Sequence, residues 1–356
     1  MVSNTTPTAY SAPHTYARIR KLSMYTEKKI NQHYVGKAHL KNWQVSRIGK
    51  NLALWAHNKD NGNIFPVTDL NGVGQVKHFY AAFVDQDILD TLEHRYAEHM
   101  EDPFVRVTME QLRLLRCIHD YRERRLDGHD KLDIIENNYL ENQYEQFETK
   151  YGETIDGIVN CSGALKEHLK IDTLEKYLDL LGFFFIQHAR TFAARKTLLA
   201  YLESVHLVRE RGELKLNDQQ VQVVVKIMLF IDAIRNASEA QTSNVSVTIG
   251  LNKSGMDLVT SSTPAILESG TVDGSIHQDG FVALSPKLAM FVSRNATTRR
   301  TLNLRHIDTE QEVLVLNGIT LSNSDRDVYS TSKEQLSLLV ASHSGSQDRL
   351  PAGARQ

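Results

Sequence analysis

Val245-Ser246-Val247-Thr248-Ile249 alternates strictly between branched apolar and hydroxyl side chains, the period of a strand with one buried face. The segment before it carries apolar residues at helical spacing, so the change of period near residue 243 decides the fold class. Downstream, Met256–Val259, Ala265–Leu267, Phe281–Leu284 and Leu288–Val292 are short apolar runs separated by Gly, Ser and Pro, which read as further strands. A helix is expected over Glu310–Asn323, a strand near Asp327–Tyr329 and a last helix over Lys333–Val340.

Upstream the texture is helical. Asn217-Asp218 caps a helix over Val221–Asn236, although its Val-rich start would also suit a strand. Ile171-Asp172-Thr173 opens a strongly apolar helix through Leu181, Phe184 and Phe185 to about Val208. Lys131–Thr149 is polar and helix-compatible. Thr108-x-x-Gln111 reads as a capping box for a helix to about Arg125, stopped by Asp127-Gly128. Ile88, Leu89, Leu92 and Tyr96 place another helix over Asp85–Glu101. Before it, residues 30–80 read as short strands and turns, with Leu52–Ala56 a strand and Asn61-Gly62 a hairpin signal ahead of Ile64.

The expected fold is therefore α+β. A helical centre (85–240) lies between β-rich segments (30–80 and 245–330) that form one mixed or antiparallel sheet. Residues 25–341 make a single domain, residues 1–24 a flexible arm and residues 342–356 a disordered tail.

The chain has 356 residues, of which 41% are hydrophobic and 24% charged, so it can bury a sizeable core. Its net charge of −2 is not that of a polyelectrolyte binder. Charge is nevertheless uneven: from Arg18 to Lys50 nine cations stand against Glu27 alone, which would make an anion-attracting face if they fold onto one side. The two cysteines, Cys117 and Cys161, build neither a disulfide framework nor a zinc knuckle. Together with a polar N-terminus and no apolar run of membrane-spanning length, this points to a reducing, cytoplasmic location and no membrane partner.

Several chemistries are disfavoured at once. No Gly-x-x-x-x-Gly-Lys-Ser/Thr loop, Gly-x-Gly-x-x-Gly turn, His-Glu-x-x-His helix or Gly-x-Ser-x-Gly elbow occurs. His94 and His99 are five apart and do not share a helical face, so neither a metal nor another cofactor is expected.

Three stretches remain. Gln32-His33-Tyr34 sits beside Lys37, His39, Lys41 and Trp43, a histidine able to exchange protons near neutrality with cations at hand. Gln187-His188-Ala189-Arg190-Thr191 ends an apolar helix, and Gln187, Arg190 and Thr191 share one face at i, i+3 and i+4. Such polar groups either tie the helix to the β region or line a pocket, because burying them unpaired costs roughly 1–3 kcal/mol each. Thr260-Ser261-Ser262-Thr263-Pro264, followed by Ser285-Pro286, delivers hydroxyls into a turn.

In this order, and with the tail Asn317–Tyr329, the three stretches resemble the bacterial and phage-associated domain-of-unknown-function family 4238 over most of residues 29–340. That family typically opens Gln-His-Tyr-Val-Pro, carries a helix reading Gln-x-x-Arg-Thr, and later shows Ser-Asp-Asn-Pro and Leu-Ser-Pro. This chain matches at Gln32, His33, Tyr34, Val35, Gln187, Arg190, Thr191, Ser261, Pro264 and Ser285. It departs at Gly36, where proline is usual, and at Ser262 and Thr263, where Asp and Asn are expected. Glycine at 36 is expected to loosen the turn after the histidine, and the two hydroxyls imply that a carboxylate has been lost.

The resemblance implies no established reaction. One expectation is a nucleic-acid-processing protein, a metal-independent ribonuclease-like effector of defence or toxin type. Its catalytic residues would be His33 as acid or base, Gln32 orienting the phosphate and Arg190 stabilising the phosphorane. Lys37, Lys41, Gln187, Thr191, Ser261 and Ser262 would bind the nucleic acid. The other expectation is a non-catalytic binding or sensor module, with a protein partner, in which the motif residues form a buried polar network.

Overall fold

In a computed structural model, residues 27–124, 129–161, 174–204, 216–240, 244–272, 275–294 and 301–347 are described. The expected arm, the Asp127-Gly128 stop, the Ile171–Thr173 helix start and the last nine residues lie outside them.

The chain opens with β1 (Asn31–His33), a short helix α1 (Lys37–Lys41), β2 (Ser46–Ile48), β3 (Asn51–Asn58), β4 (Ile64–Val67) and β5 (Gln75–Lys77). The β3–β4 hairpin turns at Asn61-Gly62, where Gly62 has φ +72°, a left-handed conformation that favours glycine. Six helices follow: α2 (Gln86–Tyr96), α3 (Pro103–Glu123), α4 (His129–Val159), α5 (Leu174–Ala189), α6 (Phe192–Ser204) and α7 (Asp218–Glu239). The remainder runs β6 (Val245–Asn252), β7 (Thr260–Ser261), β8 (Ala265–Val272), β9 (Ser275–Ser285), β10 (Leu288–Arg294), β11 (Thr301–Ile307), α8 (Glu310–Asn323), β12 (Asp327–Ser330) and α9 (Lys333–Gln347).

The fold is α+β with a helical middle, as the change of period requires. Among the described residues the strands make three sheets, however, rather than the single one expected. One has the order β11-β6-β10-β9-β8, parallel only between β11 and β6, and is built wholly from the second β-rich segment. In the second, β12 pairs antiparallel with β3 and with β7, so the two β-rich ends meet there. The third is the β1-β5 ribbon, with Gln32 opposite Val76. Turn chemistry sets only local pairs, and which distant strands meet follows from tertiary packing.

Local signals hold where their partners are close in sequence. Asn217 and Gln220 form the capping box of α7, with Asn217 Oδ1 accepting from Gln220 N at 3.0 Å and Gln220 Oε1 from Asn217 N at 2.7 Å. The α3 boundary is different from the expected one. Asp102 caps the helix by accepting from Phe104 N at 2.8 Å and Pro103 occupies its first turn, leaving Thr108 buried inside it. The α9 helix continues to Gln347, beyond its expected end at Val340.

The long apolar helix breaks in two. Thr191 Oγ1 accepts from Ala194 N at 3.1 Å and donates to His188 O at 2.8 Å, capping α6 while closing α5. The α5 helix is the centre of the core: Leu181, Phe184, Phe185 and Ile186 are all buried. Each such side chain contributes roughly 1.5–3 kcal/mol. Two glycines permit the packing, Gly182 against the Tyr151 ring of α4 and Gly280 of β9 against the Phe184 ring.

Candidate functional site

Gln32 faces inward from β1 and has no exposed surface. Its Nε2 donates to Asn137 O at 2.9 Å and its Oε1 accepts from Tyr80 N at 2.5 Å. Both ends of the amide are thus held by backbone groups of neighbouring segments.

His33 contributes its backbone. Its carbonyl accepts from Arg190 Nη2 and, at 3.3 Å, from Tyr80 Oη. The imidazole is half-buried with Nε2 unpartnered. Burial, then the charges of Lys37 and Arg190, bring its pKa down to about 4, so the ring is neutral at pH 7.

Arg190 follows α5 and is 1% exposed. Its Nε donates to Tyr80 Oη at 2.8 Å, Nη2 reaches His33 O, and Nη1 pairs with Glu148 of α4. The rings of Tyr80 and Tyr144 lie 5.4 and 5.2 Å from the guanidinium carbon. Burial opposes the charge, but Glu148, with Tyr80 and Glu141 adding to it, outweighs this and holds the pKa well above its usual range. Gln187, one turn earlier on α5, donates from Nε2 to Glu148 Oε1 at 3.0 Å. The motif residues Gln32, His33, Gln187 and Arg190 therefore converge on one joint, completed by Tyr80 and Glu148.

Gly36 belongs to the same joint. Its φ of −60° and ψ of 131° suit any residue, so it does not loosen the turn as expected. Instead a Cβ there would collide with Glu148 Oε1, and glycine is what lets that carboxylate approach.

Among the described residues, the hydroxyl turn shares no hydrogen bond with the six residues of this joint and is tied to its surroundings through His39 and Asp325. Ser261 Oγ bonds within the turn, to Thr263 N and O. Ser262 Oγ accepts from Arg326 N at 2.9 Å and Asp327 N at 3.3 Å. Ser261, Ser262 and Thr191 are all buried and satisfied by backbone partners, and Ser285 Oγ accepts from Lys287 N. The turn has a carboxylate after all: Asp325 accepts from Thr263 Oγ1 at 3.0 Å and from Ala193 N at 2.9 Å, reaching it from another loop.

Among the proposed cations, Lys37 and Lys41 are exposed, with Lys37 Nζ on Asn71 Oδ1 at 2.5 Å. Two cations of the basic segment are neutralised, since Lys28 pairs with Asp133 and Lys29 with Glu145 of α4. Cys117 and Cys161 are both free thiols, and among the described residues no group of three His, Cys, Asp or Glu side chains is placed to hold a metal. No helix among them is long and apolar enough to cross a membrane.

Next to the joint opens a small cleft of about 20 Å³, the size of a water molecule or an ammonium head, between α1, α4 and α5. Its polar walls are His39, Asn42, Glu148, Asp156 and Gln187. His39 Nε2 lies 2.9 Å from Thr260 Oγ1, and burial brings this imidazole down to about 3. Sequence reasoning grouped His39 with the motif but passed over Glu148 and Tyr80. The signal for the acid was present: Glu141, Glu145 and Glu148 recur at helical spacing on one face of α4.

A family model described as "Protein of unknown function (DUF4238)" matches residues 31–334. Neither a curated protein nor a solved structure matches the chain.

Proposed function

The chain belongs to this family of unknown function, DUF4238, and we propose that its motif residues build a rigid polar joint in a non-catalytic binding or sensor module. One observation carries this reading. The Arg190 guanidinium is 1% exposed and occupied by Glu148, Tyr80 and the His33 carbonyl, leaving it unable to reach a phosphorane. Gln32 is equally enclosed and bonded to backbone at both ends. An electrostatic catalyst must point donors at the place where charge develops, and these point at the protein itself. What the joint does hold in place is the wall of the adjacent cleft, through Glu148 and Gln187.

The ribonuclease-like reading keeps one supporting observation. His33 is neutral at pH 7 and has the exposed Lys37 within electrostatic reach. Incubating labelled RNA and DNA with the purified protein, with and without EDTA, separates the two readings. A binding module leaves both nucleic acids intact; cleavage that disappears in His33→Ala would establish the enzyme instead.

A further inference from the structure

We propose that the cleft between α1, α4 and α5 binds a primary alkylammonium group, an inference that rests on the binding-module reading and names the ligand class.

The argument begins with the Gln187 amide. Its partner, the Glu148 carboxylate, can only accept, so Gln187 must present Nε2 to it and turn Oε1 the other way. That Oε1 is buried and has no hydrogen-bond partner, in a residue only 1% exposed. His39, 4% exposed, repeats the pattern. When Nε2 donates to Thr260 Oγ1, the lone pair falls on Nδ1, which is also buried and unpartnered. The second carboxylate oxygen of Glu148, Oε2, takes no hydrogen bond among the described residues.

Three acceptors on residues that line one cleft are thus without a protein partner, one of them anionic. Unpaired buried acceptors are costly, and their number matches the three N–H donors of a primary ammonium. A guanidinium carries five N–H donors, two more than the acceptors open here, and a quaternary ammonium has no donor at all. Phe183 and Ile155 supply apolar wall for an alkyl stem, and Asp156 stands exposed at the rim with a further negative charge.

Calorimetric titration with n-butylammonium chloride, against tetramethylammonium chloride at equal ionic strength, tests the proposal. Nα-acetyl-lysine amide and 1,4-diaminobutane, run in parallel, distinguish a protein lysine from a free polyamine as the natural source. Saturable binding of n-butylammonium, absent for tetramethylammonium, is expected. The Gly152→Leu variant should weaken it at least about tenfold. A Cβ at Gly152 meets nothing within 4 Å, so this variant narrows the cleft without disturbing the core. Gln187→Met, which removes one acceptor, should also weaken binding. No saturable binding of any primary amine, equal binding of tetramethylammonium, or unchanged affinity in Gly152→Leu would each overturn the proposal. Nucleic-acid cleavage is scored separately, so failure of the binding-module reading is recognisable apart from these outcomes.

Discussion

Arg190 donates through Nη2 to the main-chain carbonyl of His33, a residue 157 positions earlier in the chain. The contact uses the backbone of the histidine, while its ring bonds to the main chain of Leu70 and takes no part in the joint. Removing the imidazole therefore keeps the joint, whereas removing the guanidinium destroys it.

Gly36→Ala places a methyl group where Glu148 Oε1 now lies. Glu148 is held by Arg190 and Gln187, so it cannot swing away without loosening both contacts. The expected loss is about 1–3 kcal/mol in urea unfolding. The loss should shrink sharply when Glu148 is already alanine. Equal losses in the two backgrounds would show that the glycine and the carboxylate are independent.

Gly182→Val should destabilise by a similar amount, about 1–3 kcal/mol, because its side chain would enter the Tyr151 ring at the α4–α5 crossing. Combining it with Tyr151→Leu should recover part of the loss. A melting temperature for Gly182→Val equal to wild type would contradict the packing described.

Stability should fall on both sides of a maximum in pH. His33 and His39 are brought down to about 4 and about 3 by burial, whereas unfolded histidine titrates near 6.5. Below that value the unfolded chain takes up the extra protons, so stability is lost as pH falls from about 6.5 toward 4. Glu141 behaves oppositely. Burial pushes it up to about 7, so its contribution is full below the ordinary carboxyl range and lost as pH rises through 7. Melting temperatures should show His39→Leu with a flatter acid limb and Glu141→Gln with a flatter fall between about pH 5 and 8. Unchanged pH profiles in both variants would refute these assignments.

What was legible in the sequence was local. Asn217 with Gln220, the Glu310–Asn323 helix and the Asn61-Gly62 turn each carry their signal within a few residues. Thr108-x-x-Gln111 imitated a capping box because the real start, Asp102-Pro103, leaves no gap in the helical pattern that follows. The break at Arg190-Thr191 was hidden since Phe192-Ala193-Ala194 is itself good helix, and only the threonine's side-chain bonds reveal the cap. The β11 strand went unread, as its pairing with β6 is parallel and distant in sequence. At the site, helical spacing foretold that Gln187 and Arg190 share a face. It could not say that Glu148 and Tyr80 would occupy them, because that depends on how α4 and the Phe79-Tyr80 segment pack.

The central claim, that Arg190 is a structural tie and not a catalytic group, is met most directly by urea unfolding of Arg190→Met. Methionine fills much of the volume but leaves Glu148 and the His33 carbonyl without their donor. The account predicts a loss of about 3–5 kcal/mol, the cost of breaking a buried pair. Stability within about 0.5 kcal/mol of wild type, as for an ordinary surface substitution, would contradict it.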